Sequence, residues 1–531
     1  MTEERVRIGL AVRETEVRFS VQGSFSAEDR TTNPPVFSPG ATWKAIVAEP
    51  SESPRWTARL HTFLNRDDAD NLASLLTKHG VQAEVARMGE DAHWGAAGVF
   101  SATAWAVLSG DSPNREDVIR ATREALAGLP LLPDTPPGWK RYDDQIMTFD
   151  IVRHAPPSGG RLRLTSSEGI TVEVASPVRI TPQSDDALFE LEDVRIGIDL
   201  HWDHREHLTF RGALELVADG GAVTAINDLE LDHYLASVLG SEMRPDWPTE
   251  ALSAQAVAAR STVLATRGRH HLNEAFDLCH DDHCQDYQGI SREGETALQA
   301  LKRCKDCLLV LGGRVVDARF AKSCGGVTDN YSTAWDDDSV PSLEPVLCTH
   351  DSPESVATIV KDQPDGSGWK ILHLFVAEPP AWAACNPEYR HYPASVTSME
   401  KLYRWQRMLS RDELIELVHK RTGVETGEIL DLVPLEYGVS GRIKFLRVVG
   451  ESASVTVGKE LAIRRLLSDS HLPSSAFEIH RGSAGEWIFD GIGWGHGVGL
   501  CQMGAAALAA EGWPAKKIVS HYYPGAGIEK R

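Results

Sequence analysis

Residues 228–247 read DLELDHYLASVLGSEMRPDW, and residues 248–271 continue PTEALSAQAVAARSTVLATRGRHH. The first segment has the spacing of a short helix that stops at a Ser-Glu-Met turn. The second reads as a long Ala-rich helix opened by Pro248, which is tolerated there because a first-turn N–H has no helical partner. Glu242 sits at the junction, beside Met243, Pro245, Trp247 and Pro248. A carboxyl group among apolar neighbours is a candidate for a raised pKa and for general acid chemistry. The plain alternative is a solvated carboxylate in a turn.

The chain of 531 residues is long enough for three or four domain-sized units. Its 42% hydrophobic and 24% charged content is that of a soluble globular protein. A net charge of −22 argues against nucleic acid or an anionic membrane surface as partner, because both need a basic footprint. There is no apolar run of about 18 residues to span a membrane. MTEERVRIGLAV at the start lacks the apolar stretch of a signal peptide, which leaves a cytoplasmic location open.

Outward from the central helices, the pattern predicts an α+β protein. It has a β-rich core, a long Ala-rich helix carrying the active-site side, and a small α/β N-terminal domain. Residues 1–50 read as N-terminal strands. Residues 55–140 read as two α/β units: strand Trp56–Phe63, helix Arg66–His79, strand Val81–Met88, then strand Val99–Leu108 and helix Asn114–Leu129. Residues 145–227 read as short strands of a barrel or sandwich, and 228–531 as a core with an insertion at about 340–480. Ser410 and Glu413 form a capping box for a helix stopped at Gly423.

Three motifs carry chemistry. In Cys279-His-Asp-Asp-His283-Cys284, two thiols and an imidazole can supply most of a tetrahedral zinc shell, with His270 or His271 as a fourth ligand. A disulfide or free thiols among surface histidines is the alternative; a full shell of four protein ligands would be structural. Cys304 and Cys307 have C-x-x-C spacing, a weak redox or metal signal. Ser323-Cys324-Gly325-Gly326 is a turn whose glycines let backbone approach a ligand closely, with Ser323 at its rim. In DGIGWGHGVGLCQMGA, from Asp490, glycine recurs at strand period and leaves one face bare, with Trp494 and His496 on the other. Such a surface suits stacking on a sugar; tight strand-on-helix packing is the alternative.

The motifs GSEM (240–243), QAVAARS (255–261), SCGG (323–326), GWGHGVGLCQMGA (493–505) and HYYPG (521–525) follow one another in the order of the SpoIID/LytB family. This family holds stage II sporulation protein D and the amidase enhancers, and the chain resembles it over about 205–531. The α/β unit at 55–140 resembles, in strand–helix order, the SPOR fold that binds glycan strands. The main resemblance implies a lytic transglycosylase of peptidoglycan in the cell envelope. By it, Glu242 acts as acid and then base at the bond between N-acetylmuramic acid and N-acetylglucosamine. The second nucleophile is the sugar's own C6 hydroxyl, so no paired carboxylate is needed. None stands out beside Glu242, although Asp246 and Glu250 are near in sequence. Gln255, Arg260, Ser323, Gly325, Gly326, Trp494, His496 and Tyr522 are the implied glycan contacts. Cys279, His283 and Cys284 are the implied ligands of a structural zinc.

Two other functions fit the same residues: a non-catalytic peptidoglycan-binding enhancer of an N-acetylmuramoyl-L-alanine amidase, and a zinc hydrolase built on Cys279, His283 and Cys284. The sequence departs from the family where Arg244 precedes Pro245 and where Ala321-Lys322 replaces a His before the SCGG turn.

Overall fold

A computed structural model describes residues 4–28, 36–37, 39–130, 142–198, 203–335, 340–349 and 368–531. Two sheets share one core. The seven-stranded sheet runs, in spatial order, Leu278–Cys279, Arg5–Glu14, Ala222–Glu230, Ala213–Asp219, Val178–Pro182, Phe25–Glu28 and Val36–Phe37. The six-stranded sheet runs Thr171–Ala175, Arg161–Ser166, Thr42–Glu49, Val17–Gln22, Leu188–Ile196 and His204–Arg211. The alternation in these strands explains the packing: Val6, Ile8, Leu214 and Leu216 of the first sheet meet Phe19, Trp43, Leu162 and Phe189 of the second in the same buried cluster.

The N-terminal strands therefore do not stand apart, as the sequence suggested. Arg5–Glu14 pairs antiparallel with Ala222–Glu230, and Thr42–Glu49 pairs with Arg161–Ser166. The described strands within 5–49 and 161–230 are one β-structure, because each contributes strands that the other's hydrogen bonds need. Arg5–Glu14 also pairs in parallel with Leu278–Cys279, which brings the N-terminal strand to the Cys/His loop.

The α/β unit is inserted between Thr42–Glu49 and Arg161–Ser166. It holds Trp56–Phe63, helix α1 (Arg66–Lys78), Glu84–Met88, Ala104–Ser112, helix α2 (Arg115–Ala127) and Asp150–Arg153. Its sheet has the order fourth, first, third, second strand, all antiparallel, which is the βαββαβ arrangement. Asn65 and Asn114 cap the two helices by accepting from Asp67 N and Glu116 N. Ala69, Leu72, Ala73 and Leu76 face the sheet as the spacing predicts. The closing strand Asp150–Arg153 lies beyond the expected boundary at 140, and the Pro-rich exit LPLLPDTPPGW (129–139) lies outside the described residues from residue 131 on.

Helix α3 (Leu231–Glu242) leaves the Ala222–Glu230 strand directly, and helix α4 (Thr249–Thr266) follows with Pro248 as its N-cap. Every residue of α4 from Ala251 to Thr266 is buried, which explains its alanines: neighbouring helices approach on all sides. Residues 404–492 form a further layer with its own core, around Leu414, Ile443, Leu446 and Phe489. There the capping box of Ser410 and Glu413 is present and Gly423 ends the helix at φ 73°. Among the described residues, the insertion expected at about 340–480 includes the helix Trp369–Ala377.

Gly240 precedes the Ser-Glu-Met turn inside α3. A Cβ there would overlap the carbonyl oxygen of Arg292 in the adjoining turn. Gly240→Ala gains about 1 kcal/mol of helix propensity, yet the overlap predicts a net loss of about 1–3 kcal/mol. A lower denaturant midpoint at unchanged m-value checks this; a midpoint at or above the wild type contradicts it.

Candidate functional site

Glu242 is the last residue of α3, and its side chain keeps 14% of its surface exposed. Three other segments converge on it. Lys322 Nζ lies 3.1 Å from Oε2 and also donates to the Glu242 carbonyl. Gln502 Nε2 donates to Oε2 at 3.4 Å, and the backbone N–H of Asp286 donates to Oε1 at 3.4 Å. The surroundings are polar, not the apolar setting expected from Met243, Trp247 and the prolines. Met243 and Trp247 turn into the core instead.

Carboxylates near Glu242 come from the Cys/His loop. Crowding by the surrounding protein, then the charges of Glu242, Asp286 and Asp281, pushes Asp282 up to about 7, although its side chain reaches solvent. Burial and then the Glu242 charge push Asp286 up to about 6. The sequence neighbours Asp246 and Glu250 are engaged elsewhere: Asp246 with Arg244, and Glu250 with Arg303 and the Ala515 N–H. Lys322, Gln502, Asp282 and Asp286 were all missed as site residues. Two stood in plain view, since Lys322 is the departure before the SCGG turn and Gln502 follows Cys501 in the glycine motif.

The glycine-rich stretch is a strand as far as Ile492. Gly493, Gly495, Gly497 and Gly499 then take φ between 72° and 88°, so the bare strand face expected from the period of two does not form. The stretch winds around a buried guanidinium. Arg442 donates to the carbonyls of Gly495, Cys324 and Ser323 and to Ser440 Oγ. Backbone pairs lace the same stretch to the SCGG segment: Ser323 with Trp494 in both directions, and Asp329 N–H with the Gly497 carbonyl. Asp329 is buried below, accepting from Thr333 Oγ1 and the Val439 N–H; burial raises its carboxyl pKa and the Arg442 charge opposes that.

The remaining expected glycan contacts divide. Trp494 and His496 are partly exposed. The His496 ring packs on Trp335 at 4.7 Å and its Nδ1 accepts from the Val498 N–H. Burial of the ring, then the Arg319 charge, holds its imidazole well below the usual range and therefore neutral. Gln255 is wholly buried, and neither amide atom is hydrogen-bonded to any of the described residues. Arg260 is committed to Asp232 and to the carbonyls of Cys304 and Cys307, so it locks α4 to its neighbours. Ser323 is buried, and Gly325 and Gly326 face Ile492 and Phe375, so backbone is approached here by core side chains. Tyr522 is buried with its phenol 3.2 Å from Cys348 Sγ.

The Cys/His loop gathers as its spacing predicts. One donor atom each from His271, Cys279, His283 and Cys284 lies within 4.8 Å of the others. Cys284 Sγ is 3.2 Å from His271 Nε2 and 3.7 Å from His283 Nδ1, and Cys279 Sγ is 3.8 Å from His283 Nδ1. A tetrahedral zinc ion sets sulfur and nitrogen ligands about 3.6 Å apart, so this donor set fits the ion. Of the two candidate fourth ligands, His271 joins the group, and His270 Nε2 lies 3.0 Å from Arg319 Nη2. Among the described residues, Cys304 and Cys307 join no such group.

A cavity of about 530 Å³ lies between the α/β unit and the later layer, lined by Arg59, His270, Arg319, Trp335, Lys459 and Arg465 among others, and Glu242 is not part of its wall. It adjoins the glycine stretch through Trp335, on which His496 packs, and through Arg319, whose carbonyl accepts from the Leu500 N–H.

Residues 219–310 match the family described as Stage II sporulation protein, and residues 329–499 match a domain of unknown function (DUF8618). An uncharacterised protein of Brachyspira hyodysenteriae is 26% identical over 60% of this chain and 72% of its own length. The amidase enhancer of Bacillus subtilis is 25% identical over 55% of this chain and 39% of its own length. Stage II sporulation protein D of Bacillus amyloliquefaciens is 24% identical over 58% of this chain and 76% of its own length. A crystal structure titled as that of a "Putative exported protein" from Burkholderia pseudomallei aligns with 34% of this chain and 27% of its own at a TM-score of 0.16 and 14% identity. The SpoIID resemblance thus holds, and residues 219–310 carry the α3–α4 pair and the Cys/His loop.

Arg442→Met keeps much of the volume but takes their guanidinium donor from the buried carbonyls of Gly495 and Cys324 and leaves Asp329 without its nearby cation. The expected cost is about 3–5 kcal/mol, read from chemical denaturation; a loss below about 1 kcal/mol would show that the guanidinium does not organise the site.

Proposed function

We propose that this chain acts on the glycan strands of peptidoglycan in the cell envelope, as a lytic transglycosylase with Glu242 as its acid and base. The supporting observation is convergence. The GSEM motif, the residue just before SCGG and the GLCQMGA motif, far apart in sequence, supply Glu242, Lys322 and Gln502 to one point. In the proposed cycle the Glu242 carboxyl gives its proton to the oxygen leaving C1 of the muramic acid. The C6 hydroxyl of the same sugar attacks C1, closing a 1,6-anhydro ring, and its proton returns to the carboxylate. Lys322 and Gln502 hold the charged carboxylate between these two steps, and the Asp286 N–H orients its other oxygen. Trp494 is the partly exposed aromatic that remains for stacking on a sugar.

A structural zinc ion held by His271, Cys279, His283 and Cys284 would fix the loop that delivers Asp286. With four protein ligands it leaves no open position for hydrolysis, which sets aside the zinc-hydrolase reading. A second reading, a binding module that stimulates a cell-wall amidase, rests on the relative named amidase enhancer.

Purified protein is incubated with glycan strands stripped of stem peptides and the products are weighed. Anhydro-ended fragments are expected, and Glu242→Gln should lower their rate by at least about 100-fold without a change in melting temperature. Wild type that yields no fragments but accelerates an added N-acetylmuramoyl-L-alanine amidase would replace the first reading with the second. Zinc removal should lower the melting temperature while leaving the product structure unchanged; new reducing ends dependent on zinc would restore the hydrolase.

A further inference from the structure

Four cysteines that no spacing joins in the sequence meet in the interior. Cys324, Cys348, Cys385 and Cys501 are at most 1% exposed, and their sulfurs all lie within 4.8 Å of one another. Cys324 Sγ and Cys385 Sγ are 3.8 Å apart. A single tetrahedral metal ion with metal–sulfur bonds of about 2.3 Å sets its sulfurs about 3.8 Å apart. A disulfide needs about 2.05 Å, and an iron–sulfur cubane spreads its cysteines wider than this group.

The surroundings suit thiolates. The Cys324 and Gly504 N–H groups point at Cys501 Sγ, at 3.3 and 3.4 Å, and the Gly326 N–H points back at Cys324 Sγ at 3.4 Å. The Tyr522 phenol is 3.2 Å from Cys348 Sγ. Donors aimed at sulfur offset the charge that metal-bound thiolates carry, the usual outer shell of such a site. Gly325 and Gly326, at φ 85° and 129°, make the tight turn that returns the second N–H to its own cysteine. Cys501 is the N-cap of the Gln502–Ala510 helix, so one ligand sits on a rigid element.

We infer that Cys324, Cys348, Cys385 and Cys501 bind a second, structural metal ion, zinc or another thiophilic divalent cation, independent of the Cys/His loop. Each thiol gives up its proton on binding, and four sulfurs leave no open position for substrate. The ion ties together the SCGG turn, the Cys348 and Cys385 segments and the helix that begins at Gln502. Lys322 and Gln502, the two side chains on Glu242, are each within two residues of a ligand. The ion is thus a clamp behind the carboxylate, and through Cys348 and Cys385 it ties the 329–499 stretch to the SCGG turn before it and to the helix after it.

The test is metal content of the full chain, purified under reducing conditions, by elemental analysis and native mass spectrometry. Wild type should exceed the Cys348→Ser/Cys385→Ser double variant by one ion per chain. His271→Ala/His283→Ala should keep that ion, whatever the other site holds. Should the cysteine variants not fold, wild type and the histidine variant loaded with cobalt decide: thiolate-to-cobalt charge-transfer absorption must persist when the histidines are gone. The inference is overturned if the histidine variant is metal-free, if the cysteine variants lose no ion, or if unreduced wild type contains disulfides among these four residues.

Discussion

A guanidinium held out of water organises this molecule around Glu242. Arg442 is fully buried, and it reaches two chain segments at once, the SCGG turn and the glycine stretch. A buried cation with its hydrogen bonds made is tolerable, whereas the same cation with partners missing is costly. The two segments are thereby held in one arrangement. Arg442 occupies the space a Cβ would need at Gly497, and at Gly493 the Ser323 carbonyl, then Arg442, crowds it. Beyond these segments lie Lys322 and Gln502, so the geometry at the carboxylate inherits its rigidity from a charge that never meets substrate.

Sulfur extends the same logic on both sides. The Cys/His group fixes the loop that carries Asp282 and Asp286, and this loop is itself pinned to the N-terminal strand by the Ile8–Leu278 and Gly9–Cys279 pairs. The four buried cysteines fix the opposite wall. The N-terminal third of the chain is therefore part of the site's support, since its first strand completes the sheet on which the Cys/His loop rests.

The elements legible in the sequence were those with a local signal. The helices α1 to α4, the capping box at Ser410 and the Cys279–Cys284 group all follow from spacing within a few residues. What failed needed long-range pairing. Nothing local shows that Arg5–Glu14 pairs with Ala222–Glu230, so the N-terminal strands looked separate. The glycine motif misled because a period of two is shared by a strand face and by alternating left-handed turns, and only packing against Arg442 distinguishes them. Arg260 and Tyr522 stood as glycan contacts because the family resemblance implied them, and only the fold shows that Arg260 is held by Asp232 and Tyr522 lies against Cys348. Cys348 and Cys385 carried no signal until the fold placed them beside Cys324 and Cys501.

The presence of Asp282 and Asp286 near Glu242 sharpens the chemical question, because a second carboxylate is what a hydrolase uses to activate water. Cleavage of glycan strands in ¹⁸O-labelled water separates the two chemistries directly. The account predicts new ends with no label, since the closing nucleophile is the sugar's own hydroxyl. Label incorporated at the new muramic acid end would make water the nucleophile and contradict the single-carboxylate mechanism.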